Sequence, residues 1–169
     1  MVWREAYLEL KADEDFRPFE RFYDLTRVAR RAARSTSVAG LERGRSAAEE
    51  LARTHAHFVL DWNYGNAIHY AHIVMGRLAL QEGDLEMAKC YLLEAGRTPG
   101  SPQLNDYGPD MTLADELLKV RESPAVLAYF DECERFWMNR ENNRLEEWRT
   151  AVLQGRRPDF GSASGLGHG

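Results

Sequence analysis

Apolar positions along this chain recur at spacings of three and four residues and almost nowhere alternate as a strand requires, so helices are expected throughout. A first helix is predicted over residues 16–34, with Phe19, Phe22, Tyr23, Val28 and Ala32 available for burial. Residues 35–45 then read as a loop. Ser46-Ala47-Ala48-Glu49 has the form of a capping box and predicts a helix to about residue 60. The run Asp61-Trp62-Asn63-Tyr64-Gly65-Asn66 is a second start signal, opening a long helix to about Gln81. Glu82-Gly83-Asp84 predicts a tight turn, with Gly83 in a left-handed conformation and Asp84 capping the next helix, 85–95.

A thirteen-residue irregular stretch follows, TPGSPQLNDYGPD at 98–110, longer than the connections usual between packed helices. Its prolines restrict it to few conformations, so it is expected as an ordered insertion and not a flexible linker. Helices are predicted again over 111–120, from a Ser123-Pro124 start to about 139, and over 142–154, where Leu145, Trp148 and Val152 share a stripe. The expected fold is all-α: about seven helices in stacked antiparallel hairpins, with no sheet. Residues 1–160 form one domain in this reading, and the tail 161–169 (GSASGLGHG) is expected to be disordered.

Composition narrows the class. With 44% apolar and 29% charged residues in 169, the chain suits a single globular domain. No apolar run is long enough to cross a bilayer, and the acidic start MVWREAYLELKADED is unlike a signal peptide, so a cytoplasmic protein with no membrane partner is expected. Cys90 and Cys133 each lie in a helical apolar pattern and are expected as small buried thiols. The net charge of −5 argues against nucleic acid as a partner. It is unevenly distributed: residues 17–45 hold eight arginines against Glu20, Asp24 and Glu42, a local +5 that leaves −10 elsewhere. Arg27, Arg30, Arg31 and Arg34 form one basic stripe, for which the readings are a solvated face, an acidic protein surface as partner and, after these, nucleic acid. The aromatic residues near that stripe are expected to face inward.

One segment resembles a known family. From Ile68 the chain reads IHYAHIVMGRLALQEGDLEMAKCYLLEAGRTPG, which is similar to a tetratricopeptide repeat (TPR): Gly76, Ala88 and Ala95 match the small positions where its two helices cross, and Gly83-Asp84 matches its turn. The TPR-like unit spans about 66–100, and the flanking pairs fit loosely. His72 and Ala79 stand where the family prefers aromatic residues. The resemblance implies a fold of stacked helical pairs and a role in protein–protein interaction. It also implies a peptide-binding concave face, matched here by Tyr70, Ile73 and Arg77. A clamp for a terminal carboxylate is not implied, because one Arg stands where several Lys and Asn would be needed.

The remaining candidates are polar groups near breaks in the helical pattern. Asp61, Trp62, Asn63, Tyr64 and Asn66 crowd aromatic and hydrogen-bonding groups at a helix start, as an anchored cap or a ligand-contacting turn. His69 and His72 are three residues apart on one helix side and are weak metal candidates, with His55 and His57 one helix earlier; no HExxH or Glu-x-x-His motif accompanies them. The loop adds Ser101, Gln103, Asn105 and Tyr107. No nucleophile–base pair, phosphate loop or metal box stands out, so no catalytic residue and no cofactor is assigned. The expectation is therefore a non-enzymatic adaptor that binds a protein or peptide segment through Tyr70, Ile73 and Arg77, with DWNYGN and the loop at the margin. The alternative is a small-ligand pocket or enzyme in which Asn66, His69, His72, Gln103 and Asn105 converge. An assembly subunit that forms homo-oligomers through the stripe and the Trp148 helix is a third reading.

Overall fold

The structure, a computed structural model, describes residues 17–137 and 143–161. Among these it is all-helical, without a strand: α1 (Pro18–Ala33), α2 (Val38–Glu42), α3 (Arg45–Thr54) running into a 3-10 turn (His55–Phe58), α4 (Tyr64–Gln81), α5 (Leu85–Gly96), α6 (Pro102–Tyr107), α7 (Thr112–Lys119), α8 (Ser123–Cys133) and α9 (Arg144–Leu153). The first helix and the α4–α5 pair fall close to the expected bounds, but the helix expected to about residue 60 ends at Thr54 and continues only as the 3-10 turn, and α8, expected to about 139, ends at Cys133 with 134–136 in turn. The expected tail, and the ends placed at Asn139 and Asn142, lie outside the described residues apart from Gly161. No helix among the described residues is long and apolar enough to cross a membrane.

The centre is α4. Its sequence is apolar nearly all round, and such a helix must be enclosed; Ala67, Tyr70, Ala71, Ile73, Val74 and Leu78 are all buried. It packs against α1, α3 and α5 and touches α7, while α5 packs on α8 and α8 on α7 and α9. Helices α4 and α5 fold back through Gly83, at φ +82°, and Asp84, whose carboxylate accepts the Met87 N–H at 3.0 Å, as the turn sequence predicts. Their contact is close because its residues are small: a Cβ on Gly76 would lie 3.0 Å from Tyr91 Cβ and 3.4 Å from the Ala88 carbonyl. Ala88 and Ala95 are both fully buried.

Several local expectations are overturned. Residues 35–45 contain α2, because Ser37 caps it by accepting the Gly40 N–H at 3.1 Å. The capping box at Ser46 does not form; α3 starts a residue earlier, at Arg45, behind Gly44. Ser123 is the first residue of α8 and not its cap, which falls at Glu122. The 98–110 stretch contains α6, with Ser101 accepting the Leu104 N–H at 3.0 Å and Pro102 in the first turn. On α1, Phe19 is 54% and Val28 42% exposed, so the buried face is instead Phe22, Thr26, Ala29, Ala32 and Ala33. Cys90 is exposed and only Cys133 is buried.

Gly65 marks where the loop meets the core. A Cβ there would stand 2.5 Å from the Gly100 carbonyl carbon, and backbone on backbone cannot yield as a side chain can. Helix propensity alone favours Ala over Gly by ~1 kcal/mol. We expect Gly65→Ala instead to destabilise by about 1–3 kcal/mol in urea titration, because overpacking outweighs propensity.

Candidate functional site

The C-terminal end of the loop is held by an imidazole. His69, on α4 and fully buried, receives the Asp110 backbone N–H at Nε2 (2.9 Å), so Nε2 is an acceptor and the proton resides on Nδ1. That Nδ1–H donates to the Ala95 carbonyl at the end of α5, at 2.9 Å. The Asp110 carbonyl accepts the Tyr129 hydroxyl from α8 at 2.8 Å. Its buried carboxylate accepts from the Thr112 N–H at 2.9 Å and faces Arg34 of α1 at 3.4 Å. His69 is thus a structural bridge among α4, α5 and the loop. His72 points elsewhere, donating Nδ1–H to the Ile68 carbonyl at 2.8 Å beside Tyr91. The two rings do not converge, and no group of three or more metal-ligating side chains occurs among the described residues.

The polar groups at the start of α4 satisfy one another. Tyr23 donates to Asp61 at 2.7 Å, and Asp61 accepts the Asn63 N–H at 2.8 Å. The Asn63 amide donates to Thr26 at 3.0 Å and accepts from Asn66 at 3.0 Å. Asn66 also donates to Gln103 at 2.9 Å and accepts from Ser101 at 2.6 Å. Of the residues expected to converge, Asn66 and Gln103 come together, joined by Asn63 and Ser101, while His69, His72 and Asn105 do not join them; the amides and hydroxyls of the cluster face each other. Asn105 and Tyr107 stand exposed and take no part in these bonds, and Tyr64 is half-buried against His55.

The face inferred from the repeat resemblance lies inside. Ile73 has no exposed surface and Tyr70 almost none; the Arg77 side chain runs inward to the end of α1. There its guanidinium donates to the Ala33 and Ser35 carbonyls at 2.7 and 2.9 Å and meets Glu116 of α7 at 2.5 Å. Thr112 adds a 3.1 Å bond to Ala33 O, so two side chains satisfy the free carbonyl left by the last turn of α1. Arg77 therefore joins three helices and offers no open surface. The oligomer reading meets the same correction at α9: Trp148 is buried against Phe130, Trp137 and Phe160, its N–H donating to the Asp159 carbonyl at 3.1 Å.

What remains open is the basic stripe. Arg27, Arg30 and Arg31 are exposed and Arg34 is half-buried, its guanidinium 5.9 Å from the Tyr70 ring centre. Between α1 and α2 a groove of roughly 630 Å³ is lined by Arg27, Arg31, Arg34 and Arg43, with Ser35, Thr36 and Val28. Arg27 pairs with Asp24 at 2.6 Å, and Arg34 reaches Asp110. Arg31 and Arg43 have no carboxylate within salt-bridge distance among the described residues. Arg43 was not among the sequence-derived residues; Ser37 ahead of Val38-Ala39-Gly40-Leu41 is the start signal that places it at the end of a helix facing the stripe. Gly44 permits the approach, since a Cβ there would meet the Ala32 Cβ.

The chain is thus an all-α protein of packed helical pairs carrying an arginine-lined groove. Compared with protein-family models, with curated proteins and with solved structures, it shows no significant match.

Two outcomes follow. Burial holds the His69 and His72 pKa values below the ordinary 6.5, so the unfolded chain binds more protons just under that pH. Their contribution to stability is complete above pH 6.5 and is lost as pH falls through the lower folded values, and the melting temperature should decline there. His69→Leu should be less stable at neutral pH, with a shallower decline. Arg77→Ala strands Glu116 and the Ser35 carbonyl, while Thr112 still bonds the Ala33 carbonyl, and should cost about 3–5 kcal/mol in chemical denaturation.

Proposed function

We propose that this protein is a non-enzymatic binding module of the helical-repeat, TPR-like kind, which recognises an acidic segment of another protein in the groove between α1 and α2. The observation that carries the reading is the pair Arg31 and Arg43, two guanidiniums beside a concave surface with no carboxylate to neutralise them among the described residues. Guanidinium groups take carboxylates in bidentate pairs and are less strongly hydrated than ammonium, which suits capture of Asp and Glu side chains. The excess of +5 over residues 17–45, in a chain of net charge −5, would steer an acidic segment to this face. The TPR-like element supports the reading as a rigid frame: the α4–α5 hairpin supplies the core on which α1 rests, and the basic face lies on the outer side of α1. This moves the contact from Tyr70, Ile73 and Arg77, all buried, to the stripe.

A short fluorescein-labelled oligoglutamate peptide, followed by anisotropy at low salt, tests this. The double charge reversal Arg31→Glu/Arg43→Glu should weaken binding by at least ~10-fold while the melting temperature moves by no more than about 2 °C, since neither guanidinium has a carboxylate partner to lose among the described residues. Equal binding by the double variant, or no binding by the natural sequence, overturns the assignment.

A further inference from the structure

The basic stripe does not stand alone on α1. At about 100° per residue, Phe19, Tyr23, Arg27, Arg30 and Arg34 fall within an arc of roughly 80°, so they form one line along the helix, aromatic in its first half and cationic in its second. The aromatic half is larger than α1 itself. Phe58 packs edge-on against Phe19 at 5.3 Å, and Trp62 stacks on Tyr23 at 5.8 Å. The segment that carries them leaves Val59, Leu60 and Trp62 58%, 98% and 54% exposed. The aromatic residues near the stripe, expected to face inward, are thus partly outward. Contiguous exposed apolar surface rimmed by charge marks an interaction site.

Resting on the binding-module reading above, we infer that the ligand is a polypeptide segment with two parts: one or two aromatic or long apolar side chains that dock on Phe19, Leu60 and Trp62, and a run of Asp or Glu that reaches Arg27, Arg30, Arg31 and Arg43. The spacing is set by the helix. From Phe19 to Arg27 the axial distance is about 12 Å and from Phe19 to Arg31 about 18 Å. At ~3.3 Å per extended residue these correspond to separations of about four to six residues between anchor and acids. Charge distribution selects a polypeptide over single-stranded RNA, which also binds to arginines beside aromatic rings. The aromatic end is charge-balanced: Glu20 and Asp24 are largely exposed but paired with Arg17 and Arg27, Arg21 is paired with Glu50, and Asp61 is bonded to Tyr23. A nucleic-acid backbone, charged at every residue, would find no excess of positive charge where its bases stacked. A segment charged at one end only needs none there.

The test uses labelled peptides containing Trp-Phe, a Gly-Ser spacer and a run of Glu, made in both orders, with counterparts in which Ser replaces Trp-Phe or Gln replaces Glu, and an oligoadenylate RNA. In anisotropy titrations the two-part peptide should bind about tenfold more tightly than its Ser counterpart in at least one order, a gap of the size a buried aromatic anchor gives. Phe19→Ala/Trp62→Ala should close that gap while leaving the Ser counterpart's affinity unchanged, and circular dichroism should show an intact fold. Equal binding of the two-part peptide and its Ser counterpart overturns this inference and leaves the groove reading standing. Failure of every Glu-bearing peptide overturns the groove reading first. Tighter binding of oligoadenylate replaces the polypeptide with RNA. A dimer seen by sedimentation that Phe19→Ala/Trp62→Ala converts to monomer assigns the aromatic patch to a second copy instead.

Discussion

A helix enclosed on nearly every side must find a partner for each polar group it buries, and on α4 these include Asn66, His69 and Arg77. These groups fix how the other elements are arranged around it. His69 does so most directly, because a neutral imidazole has one donor and one acceptor, and here the donor takes the end of α5 while the acceptor takes the loop. Protonation would leave two donors, one aimed at a backbone N–H. Asn66 ties the start of α4 to Ser101 and Gln103, and Arg77 ties its middle to the ends of α1 and α7. Leaving any of these groups unpaired in the interior costs more than an ordinary hydrogen bond contributes. The loop from 98 to 110 is therefore fixed at three points, by Gly65 against Gly100, Asn66 against Ser101 and Gln103, and His69 against Asp110.

Helices α4 and α5 were legible because their signals agree: period, glycine turn, acidic cap and small crossing residues all indicate the same hairpin. The failures came where one local signal met a stronger tertiary demand. Ser46 and Glu49 have capping-box spacing, but α3 starts at Arg45 behind Gly44. Tyr70, Ile73 and Arg77 match the family's contact positions, yet α1 and α7 cover that side of α4, and nothing local to Arg77 reveals that its partners lie about forty residues away in both directions. Phe19 reads as core by residue type and sits on the rim. The polar cluster at the start of α4 was legible as a cluster; that its members bond to each other depends on where the loop folds back.

The binding reading gains from these corrections. Once Arg77, Asn66 and His69 are assigned to the interior, exposed arginines and aromatic rings remain together on α1, α2 and the turn before α4. The arginines lie at one end and the rings at the other. The core holds the end of α1 in place, since its last carbonyl is bonded from two helices.

The most direct measurement is a residue-resolved one: backbone amide shifts recorded by NMR during titration with an acidic, aromatic-bearing peptide. The account predicts that perturbations concentrate on residues 17–44 and 58–62, while Asn66, His69 and the 101–110 backbone stay unmoved. Shifts centred on Asn66, His72 and Gln103 would contradict it and restore the polar pocket as the site of function.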